Sequence, residues 1–192
     1  MFVLTAIKKM KNILKNRLAL STVVTTLIIL VVSVLLAGVV TYFAINVTST
    51  RVQEESLHLT KQHIYYNTTG SSAQAALMII NTGGRDVVID KITCRGQESA
   101  WADVFYCVTT DAISEDLTYQ QNMAVDAVVT IDSVAYTFSG TSTDLTLKSG
   151  QTILIYVANP DSVSMNDIGL TVALTVFSSQ AMYYKETNVE AA

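Results

Sequence analysis

The stretch that decides the architecture is Leu20 to Ile45, LSTVVTTLIILVVSVLLAGVVTYFAI, which contains no charged residue. As an α-helix it would rise about 39 Å at about 1.5 Å per residue. That crosses about 30 Å of hydrocarbon with some tilt. Val and Thr favour strands, but a lone segment in lipid must satisfy its own backbone hydrogen bonds, and only a helix does so. The only turn signal within the run is Gly38.

Working outward, Lys8, Lys9, Lys11, Lys15 and Arg17 precede the run with no acidic residue among them. The positive-inside rule therefore puts residues 1–17 in the cytoplasm and the chain beyond Ile45 outside, with Tyr42 and Phe43 as an interfacial anchor. A secretory signal would have a shorter apolar core followed by a small-residue cleavage site, so a retained helix is expected. The formal net charge of the whole chain is -4. Beyond the leader, seven Lys and Arg face sixteen Asp and Glu, an acidic balance that argues against nucleic acid as a partner. The length of 192 residues suits one ordinary domain after the helix.

Ser21, Thr22, Thr25, Thr26, Ser33, Ala37, Gly38 and Thr41 punctuate the helix. Small residues permit close helix approach and hydroxyls bond back to the preceding turn. Two readings stay open on these grounds: a plain single-span anchor, and a helix that packs against copies of itself.

The segment KNRLALSTVVTTLIILVVSVLLAGVVTYFAINVT resembles the N-terminus of archaeal type IV pilins, relatives of archaellins. NTGGRDVVIDKI at 81–92 is similar to the early β region of the same family. The resemblance implies a leader (residues 1–19) removed by a prepilin peptidase between Ala19 and Leu20, a cut after Arg17 or Leu18 remaining open. The chain lacks the Glu near mature position five that bacterial pilins carry; Val24 or Thr25 stands there. The implied function is a structural subunit of an archaeal type IV pilus, a helical homopolymer for surface attachment. Before assembly the precursor would lie in the cell membrane with the assembly machinery. The alternatives are an archaellin-like filament subunit and a non-polymerising, membrane-anchored surface binding protein.

Arg51 to His63 contains neither Pro nor Gly, so the helix is expected to continue as a neck, giving a helical unit at 20–64 and an extracytoplasmic β domain at 65–192. Strand signals follow at Ala73–Ile80, Val87–Thr93, Ala102–Thr109, Met123–Ile131, Val134–Phe138, Leu145–Leu147, Thr152–Val157 and Leu170–Phe177. Turns are expected at Asn81-Thr82-Gly83-Gly84, Ser139-Gly140, Lys148-Ser149-Gly150 and Asn159-Pro160-Asp161. Alternation places Ile153, Ile155 and Val157 on the core face. The fold class is therefore α+β: a long hydrophobic helix followed by an antiparallel β-sandwich-like domain.

Cys94 and Cys107 are the two cysteines, and the topology puts both outside. An oxidising location predicts a structural disulfide between them, worth about 3 kcal/mol by the loop-entropy model, with two buried thiols as the alternative. Asn46-Val47-Thr48 and Asn67-Thr68-Thr69 are candidate glycosylation sequons. Tyr65, Tyr66, Tyr183 and Tyr184 form two aromatic pairs suited to packing or to subunit contacts.

Catalytic and metal chemistry find little support. His58 and His63 are poorly spaced for one helical face, and zinc of the finger type would need more ligands. No Gly-x-Ser-x-Gly elbow frames a nucleophile. The Thr82-Gly83-Gly84 turn lacks the Lys of a phosphate loop. Asp86, Asp90, Asp126, Asp132 and Asp144 do not follow an EF-hand spacing and read as a solvated acidic surface. A non-enzymatic protein without a cofactor is expected.

Overall fold

The structure, a computed structural model, describes residues 2–52, 54–160 and 162–192, with side chains from Leu20 onward except those of Arg51 and Val52. It divides into two compact units, residues 1–50 and 51–192.

The first unit is made of the helix α1, Phe2–Val52, whose last two residues are counted with the second unit. Its apolar part, Leu20–Thr50, spans 31 residues, about 46 Å at about 1.5 Å per residue. Gly38 does not break it. Residues 2–19, the expected leader, are helical as well, so Ala19 and Leu20 lie in continuous helix; the side chains of Ala19 and of Lys8, Lys9, Lys11, Lys15 and Arg17 lie outside the described residues.

The second unit is a β domain of eleven strands: β1 (Leu57–Asn67), β2 (Ser72–Asn81), β3 (Val87–Cys94), β4 (Gln97–Glu98), β5 (Val104–Thr109), β6 (Ala127–Ile131), β7 (Val134–Gly140), β8 (Leu145–Leu147), β9 (Thr152–Ala158), β10 (Thr171–Ser178) and β11 (Met182–Ala191). Hydrogen bonding links them in the order β4-β3-β10-β11-β1-β2-β9-β5-β7-β6, with β8 also on β3. The sheet is open and mixed. Its ladders are antiparallel except that of β1 with β11, where Ile64, Tyr65 and Tyr66 meet Val189, Glu190 and Ala191 in parallel. That single parallel step separates the domain from a wholly antiparallel sandwich.

All eight sequence-predicted strands are present, but the neck is not helical. The helix ends at Val52, and Leu57–Asn67 is a strand lying between β2 and β11. The β domain therefore begins at Leu57 rather than after Tyr66. Backbone partners on both edges outweigh the local helix pattern of this polar segment.

Two cores fill the domain. The first draws Ile64 from β1, Leu77 and Ile79 from β2, Ile89 and Ile92 from β3, Leu147 from β8, Ile153, Ile155 and Val157 from β9, and Leu174 and Val176 from β10. The trio expected on β9 is thus on its core face. The opposite face of β2 and β9 is buried too. Ala76, Met78, Leu154 and Tyr156 pack with Phe105, with Leu117 of the 110–126 loop, and with Val129, Ile131, Tyr136 and Phe138 of the β6–β7 hairpin. The Phe138 and Tyr156 rings meet edge to face at 5.3 Å between centroids, and the Tyr156 hydroxyl donates to the Thr118 carbonyl at 3.0 Å. Burial on both faces explains why β2 and β9 are apolar almost without interruption.

The turn at Asn81 is held by its side chain. The Asn81 amide nitrogen donates to the carbonyls of Arg85 (2.8 Å) and Leu147 (3.1 Å), while its oxygen accepts from the Gly83 amide. Gly150 supplies the positive φ, +76°, of the turn before β9. In the Asn159-Pro160-Asp161 turn, Asn159 has φ +45°; Asp161 lies outside the described residues.

Candidate functional site

The helix surface is the largest unusual feature of the first unit. Every described residue from Leu20 to Thr50 is exposed, among them Leu27, Ile28, Leu35, Leu36, Val40 and Phe43. Most of its Ser and Thr hydroxyls bond back onto the helix. Thr25 donates to the Ser21 carbonyl (2.9 Å), Thr26 to Val23 (2.9 Å), Ser33 to Ile29 (2.7 Å), Thr41 to Ala37 (2.8 Å) and Thr50 to Asn46 (2.8 Å). Back-bonding of this kind leaves an outer surface of hydrocarbon. Such an area is unstable in water and demands lipid or another apolar surface.

The cysteines are not joined. Both are free thiols, which corrects the expected disulfide. Cys94 ends β3 in the first core, whereas Cys107 of β5 packs against the second. Val104 and Tyr106 of β5 face the first core and Phe105 and Cys107 the other way, so strand alternation aims the Cys107 thiol away from Cys94. Burial pushes both thiols up, the Cys107 thiol with a further push from Asp111. At Cys94 the charge of Arg95 pulls the other way but burial outweighs it, and neither thiol is held as the thiolate of a reactive cysteine.

The two sequons differ. Asn46 is exposed on the helix. Asn67 is 9% exposed; its amide nitrogen donates to the Tyr119 hydroxyl at 3.1 Å and its oxygen accepts from the amides of Thr69 and Gly70. The nitrogen that would carry a glycan is engaged in the fold.

His63 lies between two carboxylates, with Nε2 3.0 Å from Asp116 and Nδ1 3.1 Å from Glu190. Its ring stacks on Tyr65, 5.6 Å between centroids. The Tyr65 hydroxyl donates to the Leu117 carbonyl at 2.7 Å, and burial, then the charges of Glu190 and Asp116, push its pKa up to about 12. This cluster ties β1, β11 and the 110–126 loop together. The neck reading hid it, because on a helix His63 and Tyr65 would not share a face.

The aspartates are dispersed in structural roles. Asp132 accepts from the amides of Ser114 and Glu115 and from the Ser114 hydroxyl, and these bonds lower its pKa. Asp86 accepts from the Ser149 amide at 3.1 Å. Asp167, which the sequence reading did not single out, takes Arg95 at 2.7 Å and both the amide and hydroxyl of Ser164. These bonds hold its carboxyl down to about 2, with the Arg95 guanidinium the largest cause. Glu55, just before β1, accepts from the hydroxyls of Ser178 and Tyr183.

No family model matches the chain, and no curated protein matches it. Among solved structures it is similar to a copper-bound PCuAC domain from PmoF2, at 12% identity over 73% of this chain and 100% of that one, TM-score 0.34. It is also similar to the ligand binding region of Serine-glutamate repeat protein A of Enterococcus faecium, at 14% identity over 73% and 98%, TM-score 0.29. A family 123 glycoside hydrolase from Clostridium perfringens gives 9% identity over 72% and 27%, TM-score 0.33. At such identities and TM-scores none of the three bears on what this chain does. The pilin resemblance of residues 15–50 gains no support from them. What the architecture carries by itself is coarser: one apolar N-terminal helix and one β domain, an arrangement consistent with a membrane-anchored surface protein.

Proposed function

We propose that this chain is a non-catalytic structural subunit of a surface filament of the archaeal type IV pilus kind. Its precursor is held in the membrane by α1, and a prepilin peptidase removes the leader near Ala19. The mature helix then packs against copies of itself, and the β domain forms the outer surface. The observation supporting this reading is the helix surface: an apolar span of about 46 Å, exposed throughout, with most of its Ser and Thr hydroxyls bonded to its own backbone. That span exceeds the hydrocarbon thickness of about 30 Å, and once outside lipid it needs an apolar environment that neighbouring helices supply. Uncleaved, five cationic side chains would crowd that apolar bundle at a large desolvation cost.

The test is electron microscopy of surface filaments from the producing cell, with N-terminal sequencing of their subunits. The expected result is filaments whose subunits begin at or near Leu20. Filaments whose subunits retain Lys8 to Arg17 would overturn processing. Processed protein that stays monomeric in an assembly-competent cell would overturn assembly in favour of an anchored, non-polymerising protein.

A further inference from the structure

The end of the β domain opposite the entry at Leu57 carries a cleft of about 380 Å³. The register places it there: β2 starts and β9 finishes at that end, with Gln74 paired to Ala158. Ser72, Gln74, Tyr119, Gln121, Asn122 and Asn159 contribute to its wall, and none of the described lining residues is charged. The segment Gln120–Met123 also borders a second recess of about 410 Å³, again without a charged residue. Gln121 and Asn122 thus stand between two uncharged hollows on an otherwise acidic domain.

We infer that this cleft is a binding site for a neutral saccharide. Three features select that chemistry. First, the exposed side-chain amides of Gln121 and Asn122 have no hydrogen-bond partner among the described residues. A planar amide offers a donor and an acceptor side by side, which suits adjacent hydroxyl groups on a sugar ring. Second, Tyr119 is half-buried at the wall. Its hydroxyl is engaged by Asn67 at 3.1 Å and Ser72 at 3.4 Å, and its ring is set edge to face against Tyr65. A fixed aromatic ring provides the apolar surface on which the C–H face of a sugar packs. Third, the wall is preorganised. Gln74, 3% exposed, accepts from the Gln120 amide at 2.8 Å and donates to the Gln120 carbonyl at 3.0 Å. This clamps the segment that carries Gln121 and Asn122, so little ordering remains to oppose binding. A charged ligand would find no counter-ion among the described residues of either hollow, and an apolar one would strand the free amides. The volume lies within the usual range for small-molecule sites, about 300–1,000 Å³.

The inference is independent of filament assembly, and the test keeps the two apart by using unassembled full chain in detergent micelles. Maltotriose, mannotriose, chitotriose and lactose are titrated in turn, with an anionic sialyl-trisaccharide and a neutral tripeptide alongside, following amide chemical shifts. At least one neutral saccharide is expected to bind saturably and to shift the side-chain NH₂ signals of Gln121 and Asn122. The double variant Gln121→Glu, Asn122→Asp replaces donors with acceptors at two exposed positions, so the fold is kept. It should weaken that binding about tenfold or more, the scale of one or two lost hydrogen bonds. Failure of all four neutral saccharides to bind would overturn the proposal. So would binding undiminished in the double variant, or a preference for the anionic sugar or the peptide.

Discussion

Gly83 lies directly against the backbone that leads into β1: a Cβ at this position would stand 2.6 Å from the carbonyl oxygen of Glu54 and 2.7 Å from the amide nitrogen of Ser56. The approach is fixed by hydrogen bonds, because the amides of Thr82 and Gly83 both donate to the Ser56 carbonyl, at 2.9 and 3.1 Å. Both clashing atoms are main chain and cannot swing aside. Gly83→Ala should therefore destabilise the β domain by about 1–3 kcal/mol. Thermal unfolding of the full chain in detergent measures it, and an unchanged midpoint would show that the approach is dispensable.

The separation of the thiols gives a chemical prediction. Protein denatured without reductant should take up two alkyl groups, one on Cys94 and one on Cys107, as read by peptide mass. In the native state Cys107, half-buried, should react faster than Cys94, which is 1% exposed. Both should be slow near neutral pH, since burial raises each pKa and keeps the thiol protonated. A mapped disulfide peptide would refute this.

Asp167 sets an acid sensitivity. Its folded pKa is depressed to about 2, chiefly by Arg95 and then by Ser164, against about 3.9 for an unfolded Asp. The contribution is therefore present above about pH 4 and is lost as pH falls from about 4 through about 2. Asp167→Asn should remove that part of the slope of stability against pH while leaving the rest. Denaturation curves at several pH values decide it, and an identical slope in variant and parent would count against the assignment.

Leu117 tests the second core. It is 0% exposed although it belongs to the strandless 110–126 loop, where it packs with residues of β2, β5, β7 and β9. Leu117→Ala should cost about 2–5 kcal/mol, as core truncations do. Hydrogen exchange should quicken along the loop. A loss well under about 1 kcal/mol would mean that the loop covers β9 only loosely.

Gly38 tests the use of the helix. Nothing lies within 4 Å of a Cβ built there, and Gly within a helix costs about 1 kcal/mol relative to Ala. If the flat spot receives a neighbouring helix, Gly38→Leu should leave membrane insertion intact and sharply reduce filament yield. Equal yields would return Gly38 to a tolerated residue of a plain anchor.

The helix and most strands were legible because hydrophobic periodicity and turn residues mark them locally. β1 was not, for a specific reason. Its register shifts between Thr60 and His63, where Lys61 takes φ +52°, and such a bulge interrupts the two-residue alternation by which a strand is recognised. β11 was hidden differently: Met182–Ala191 is exposed or half-buried except at Val189, and backbone pairing to β10 and β1 holds it rather than apolar burial. Strand alternation was read correctly on β9, yet its second buried face required the β6–β7 hairpin to fold over it, a long-range event without local trace. The His63 cluster and the amide-lined cleft share that character, since both join residues brought together only by the sheet order.

The parallel contact of β1 with β11 also constrains when the domain finishes. The helix and β1 are made first, yet the parallel partners of β1 are Val189, Glu190 and Ala191. During synthesis β1 can recruit β2 at once, while its opposite edge stays bare until nearly the whole domain has followed. Closing a pairing so distant in sequence is slow, and a bare edge in the interval invites strands from other chains. Crowding of nascent copies is therefore most hazardous just before Val189 emerges, while Ile64, Tyr65 and Tyr66 still lack their parallel partners.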